Sequence, residues 1–133
     1  MYLCTNESLS NNLCISCNKE GNYYPKINNA ENVEEFIDCY NETIPGYYLD
    51  INDSYYKECY ISCNTCKGKG NSSNHNCLSC KSDYIYILNI SETINCYNHC
   101  DYYFYYNPLN EQKYCTGDLL CPDNFSKLIR DQK

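Results

Sequence analysis

The chain of 133 residues has no tryptophan, one methionine and five glycines, and it holds a single arginine (Arg130), a single alanine (Ala30) and a single valine (Val33). So little Val and Ala excludes an ordinary aliphatic interior. Of the 43% of residues that count as hydrophobic, tyrosine supplies 17 and cysteine 13, and leucine and isoleucine make up most of the remainder. A domain of this length normally offsets chain entropy with a larger buried aliphatic surface, so something covalent has to supplement the core. Positive charge is short as well: ten Lys and Arg stand against 17 Asp and Glu, for a net charge of -7. Phosphate recognition needs clustered cations, so neither nucleic acid nor an anionic membrane is an expected partner. Long hydrophobic runs are missing; the longest, Tyr84 to Leu88 and Tyr102 to Tyr106, fall far short of a membrane span. The opening MYLCTNESLS lacks the basic start and apolar stretch of a signal peptide. Met1 is therefore read as an artificial start or an internal residue, and no membrane insertion is expected of this segment.

What is abundant is cysteine, 13 residues in a short polar chain, the compositional mark of a cross-linked scaffold. The N-x-[ST] sequons are abundant too. They fall at Asn6, Asn41, Asn52, Asn71, Asn89 and Asn124, whereas chance placement of the chain's Asn, Ser and Thr would give only about two or three. A glycosylated surface is expected, and with it a secreted or cell-surface location. Heavy use of Asn, Tyr, Ile and Lys is the composition that AT-rich genomes encode, as in many unicellular eukaryotes.

The cysteines conceal a repeat. At a shift of about sixty residues NLCISCN (12 to 18) falls on NCLSCK (76 to 81), and DCYNETIPGYYLD (38 to 50) on NCYNHCDYYFYYN (95 to 107). The first copy carries an insertion, NNAENVEEFID, in which Asn29 is suited to cap a turn or two of helix reaching Ile37. Elsewhere GYYLD, SYYKECY, DYIYIL and DYYFYYN are β-prone, separated by turn chemistry at 51 to 54, 88 to 91 and 107 to 112. In the last of these runs Tyr102, Phe104 and Tyr106 should face one side and Tyr103 and Tyr105 the other. The expected fold is small, disulfide-rich and mainly β, an elongated ladder of short two-stranded hairpins with little helix and no central core.

Two C-x2-C pairs, Cys63/Cys66 and Cys77/Cys80, have the spacing of a Cys4 zinc knuckle. Against zinc, the first copy offers Cys4, Cys14 and Cys17 without a fourth ligand in register, and a zinc site would strand Cys59, Cys96, Cys100 and Cys115. The run of cysteines from Cys59 to Cys115 resembles the furin-like cysteine-rich repeat of R-spondins, growth-factor receptors and proprotein-convertase tails. The likeness is specific over 59–120, degraded over 1–58, and 121–133 reads as the start of a further, truncated repeat. That resemblance implies the bridges Cys59 to Cys66, Cys63 to Cys77, Cys80 to Cys96 and Cys100 to Cys115. By repetition it implies Cys17 to Cys39, and it leaves Cys4 for Cys14. Cys121 is left over, to pair beyond Lys133 in a longer tandem array or with a neighbouring subunit.

For catalysis the sequence offers little. His75 lies in a Gly/Asn/Ser stretch and His99 between cysteines, with no nucleophile at a recognisable motif, and both read as solvent-exposed. DINDS (50 to 54) lacks the glycine and distal glutamate of a calcium loop, and GKGNSS (68 to 73) reads as a flexible, sequon-bearing loop. About half of the tyrosines are expected to lie over disulfides and the rest to be exposed. No catalytic residue, metal or cofactor is expected. The leading expectation is a non-enzymatic, N-glycosylated extracellular module, structural or adhesive, from a long Cys-rich surface or filament-forming protein, packing against neighbouring repeats or identical subunits. A receptor-like module that binds a protein or carbohydrate ligand is the second reading, and a zinc-binding domain the third.

Overall fold

A computed structural model describes residues 13–27, 37–101, 103–116 and 129–130. The protein is a small disulfide-rich, mainly β fold built from short antiparallel hairpins. It divides into two compact units, Met1–Glu58 and Cys59–Lys133. Cys4, Asn6, Cys121, Asn124 and residues 28–36 of the expected helix lie outside the described residues.

In the first unit β1 (Leu13–Cys14) pairs with β2 (Ile37–Asp38), and β3 (Tyr47–Asp50) with β4 (Tyr55–Glu58). Ile37, expected to end a helix, instead opens a strand. The one helical element among the described residues is a 3-10 turn at Lys19–Gly21. Asn18 caps it by accepting the Gly21 N–H at 2.7 Å, and Asn22 closes it with φ 61°, a conformation that asparagine tolerates better than most residues. The β3–β4 hairpin turns through residues 51–54, with Ser54 at φ 60° donating its N–H to the Asp50 carbonyl at 2.8 Å. Lys57 ties the turn by ion pairs to both Asp50 and Asp53. Aromatic rings stand in for an aliphatic core here: Tyr56 is buried, with Tyr24 and Tyr40 edge-on to it at 6.5 and 6.4 Å.

The second unit joins its hairpins into a single seven-stranded sheet. Its strands are β5 (Cys63–Cys66), β6 (Cys77–Cys80), β7 (Tyr86–Ile90), β8 (Thr93–Tyr97), β9 (Tyr103–Asn107), β10 (Gln112–Cys115) and β11 (Ile129–Arg130). The order is β11-β9-β10-β7-β8-β6-β5. Every pairing is antiparallel except that of β10 with β7, which sets Lys113 beside Tyr86 and Tyr114 beside Ile87. Short hairpins are the building units as expected, and that parallel pair joins two of them edge to edge. The expected absence of a core is corrected: Cys63, Cys77, Cys96 and Cys100 are buried with Tyr86 and Ile87, so sulfur fills much of the space that aliphatic side chains would otherwise occupy.

Candidate functional site

Five disulfides lie among the described residues: Cys17–Cys39, Cys59–Cys66, Cys63–Cys77, Cys80–Cys96 and Cys100–Cys115. These are the pairs that the furin-like resemblance implies, and their Cα atoms stand 5.1 to 5.8 Å apart, within the ordinary range for a bridge. Cys14 is disulfide-bonded as well, and its expected partner Cys4 lies outside the described residues. The four cysteines with zinc-like spacing are engaged in three different bridges, which removes them as a set of metal thiolates.

His75 is the main departure from the sequence reading. Far from being solvent-exposed, it is 3% accessible and sits at the centre of a polar cluster. Its Nδ1 accepts the Cys96 backbone N–H at 3.1 Å and lies 2.9 Å from Ser62 Oγ. Because a backbone N–H can only donate, Nδ1 is the unprotonated nitrogen and the ring is neutral; the Ser62 hydroxyl then donates too. Tyr60 stacks on one face with centroids 4.2 Å apart, and Tyr97 approaches at 4.9 Å. Asn95, fully buried, accepts the His75 N–H at 2.8 Å and donates from Nδ2 to the Ser73 carbonyl and to Tyr97 Oη, both at 3.0 Å. Burial holds the imidazole below its usual pKa. With Ser62 1% accessible, its hydroxyl has no path to a substrate, and the Ser–His pair serves to satisfy buried polar groups.

Residues 68–73 are more constrained than a flexible loop. A side chain at Gly70 would overlap the His75 carbonyl and crowd Tyr60 Cβ at 2.9 Å. Asn71 Oδ1 accepts the N–H groups of Ser73 and Asn74, each at 2.9 Å, an Asx-type turn that fixes the loop. His99, by contrast, is exposed, with its Nε2 3.8 Å from the Asp101 carboxylate.

Asn41, Asn52, Asn71 and Asn89 are all exposed. Asn52 lies in the β3–β4 turn and Asn71 in the loop before β6, as expected. Asn89 differs: the expected turn at 88 to 91 starts only at Ser91, and Asn89 occupies β7, paired with Ile94 across the sheet. The strand persists because Leu88 and Ile90 find cross-strand partners in Asn95 and Thr93.

Among the described tyrosines only Tyr56 and Tyr86 are buried, while Tyr23, Tyr55 and Tyr106 are exposed. Their rings meet other rings and lysine, and the hydroxyls of Tyr40 and Tyr114 donate to Asp38 and Gln112. Lys26 Nζ lies 4.6 Å from the centre of the Tyr40 ring and 5.0 Å from that of Tyr47; Lys113 Nζ lies 5.5 and 5.7 Å from Tyr86 and Phe104. Phe104 meets Tyr86, and Tyr105 stacks on Tyr114 at 5.4 Å, so neighbouring residues of β9 do serve opposite faces. A groove of about 560 Å³ opens in the second unit, lined by Leu78, Tyr84, Ile85, Ile87 and Ile94 together with polar and charged residues that include Ser79, Lys81, Glu111, Gln112 and Lys113. That volume lies in the range of small-ligand sites.

Compared with family models, with curated proteins and with solved structures, the chain finds no match.

Proposed function

We propose that the protein is a non-enzymatic, N-glycosylated extracellular module, structural or adhesive, made of furin-like cysteine-rich repeats and belonging to a longer Cys-rich surface or filament-forming protein. The observation that carries the reading is the replacement of an aliphatic core by bridged cysteines: Cys63, Cys77, Cys96 and Cys100 are the buried heart of the second unit. Such an interior persists only where thiols stay oxidised, outside the reducing cytosol. The four described sequon asparagines are exposed, which supports their use as glycan acceptors. Neighbouring repeats or identical subunits are its partners in this reading. Glycopeptide mapping of material from the native source tests it, together with electron microscopy for filaments. Occupied sequons with filaments or surface arrays are the expected result. Bare sequons and reduced cysteines in native material would overturn the proposal.

A second reading, a recognition module for a protein or carbohydrate ligand, is favoured by the groove of the second unit, which mixes apolar and polar side chains. Capture of one specific soluble ligand by a monomer, lost on substitution of Leu78, would shift the balance to it.

A further inference from the structure

Asn89 shares a face of the sheet with two residues of the groove wall. Side chains alternate along a strand, so Asn89 projects to the same side of β7 as Ile87, and its directly opposed residue on β8 is Ile94. Ile85, Ile87 and Ile94 all line the groove. Two of its apolar residues, Leu78 and Ile85, are 56% and 50% exposed, a large apolar surface for a chain so poor in aliphatic residues. Directly opposed Cβ atoms in an antiparallel pair stand about 5 Å apart, so a group attached to Asn89 Nδ2 begins next to the groove wall.

Two of the other described acceptors are placed differently. Asn71 is held by its Asx turn, and Asn52 lies among Asp50, Asp53 and Lys57.

We propose that the groove is the seat of an N-linked glycan on Asn89, whose innermost N-acetylhexosamine packs along Ile94 and turns its hydroxyls toward the polar lining residues. This rests on the glycosylated reading above. The covalent step is the ordinary transfer from a lipid-pyrophosphate oligosaccharide: Asn89 Nδ2 forms a bond to the anomeric carbon, the bond from that carbon to the pyrophosphate oxygen breaks, and one amide proton is lost to the transferase. A pyranose suits the site because it has an apolar face for isoleucine and a polar edge for Gln112 and Ser79. Tethering presents the sugar at an effective concentration in the millimolar range, so a small contact suffices to keep it seated.

The test uses the full chain secreted by a eukaryotic host, with isoleucine methyls labelled. Mapping should find Asn89 occupied, and nuclear Overhauser contacts should join the innermost sugar to the Ile94 methyls. Trimming the glycan to one sugar should leave the melting temperature unchanged. Asn89→Gln should lower it by about 4 °C, against under about 1 °C for Asn52→Gln. An occupied Asn89 without those contacts, or with a loss no larger than that of Asn52→Gln, overturns the groove assignment and leaves the glycosylated reading standing. Asn89 bare while Asn52 and Asn71 are occupied overturns it equally. All sequons bare overturns both.

Discussion

Acidification should destabilise the second unit by charging His75, and the size of the effect follows from the hydrogen bonds around the ring. In the folded chain Nδ1 is committed to the Cys96 N–H at 3.1 Å, so an added proton there would point at a donor. The groups in contact with the ring are Tyr60, Ser62, the Ser72 and Cys96 backbone and Tyr97, and none carries a charge at neutral pH to offset an imidazolium. Burial lowers the folded-state pKa, while the unfolded chain takes the proton near pH 6.5. Between those two values the unfolded state binds more protons, so stability is full above about pH 6.5 and falls as the pH drops, by roughly 1.4 kcal/mol per unit. Moving from pH 7.5 to 5.5 should therefore lower stability, by at most about 1.4 kcal/mol. Urea unfolding of the oxidised chain, followed by tyrosine fluorescence at both pH values, measures it. His75→Phe is the control: it keeps a ring against Tyr60 but withdraws the acceptor. The variant should lose about 1–3 kcal/mol at pH 7.5 from the stranded Cys96 N–H and Ser62 hydroxyl, and its stability should no longer depend on pH over this interval. Parallel pH profiles for the two proteins would refute the reasoning, since His99 and every carboxylate are common to both.

Other outcomes follow from the same structure. Gly70→Ala should cost about 1–3 kcal/mol or more, seen as a lower urea midpoint, because the new methyl meets backbone at His75 that cannot swing aside. Removing the Cys80–Cys96 bridge by a double serine substitution should cost about 3 kcal/mol for its sequence separation of 16, by the same assay. Thiol titration of the unfolded, unreduced chain should find one reactive group, mapped to Cys121, and a larger count would contradict the pairing scheme. Lys26→Met should weaken the first unit by about 0.5–2 kcal/mol by removing the cation above Tyr40 and Tyr47, and a thermal melt that does not move would count against that contact.

The hairpins that were legible in the sequence are those whose strands carry tyrosine and whose turns carry Asn, Asp or Pro. Thus Tyr47–Asp50 with Tyr55–Glu58, and Tyr103–Asn107 with Gln112–Cys115, fall close to the runs that composition marks. The bridges were legible through spacing and family likeness together. Strands β5 and β6 were not, because Cys-Asn-Thr-Cys and Cys-Leu-Ser-Cys have weak strand preference and are held extended by their disulfides and by each other. His75 was misjudged for a similar reason. Its neighbours in sequence are loop residues, whereas its burial comes from Tyr60, Asn95 and Tyr97, brought in from other segments. Gly70, which no local turn requires, was the available signal that something packs closely there. The groove was invisible because it depends on the parallel register of β10 on β7, which no periodicity encodes.

The bridges also bear on how the chain oxidises as it emerges residue by residue into an oxidising compartment. Cys80–Cys96 and Cys100–Cys115 each join a cysteine to the next one along, so both can close correctly in order of appearance. The segment from Cys59 to Cys77 cannot, because Cys63 arrives before Cys66 and lies inside the loop that Cys59 and Cys66 must close. First-come pairing there gives Cys59 with Cys63, and a later thiol–disulfide exchange has to undo it. Dependence on a disulfide isomerase should therefore be concentrated in these nineteen residues, the same ones that wrap His75, so that correct pairing there and the closing of the buried polar cluster go together.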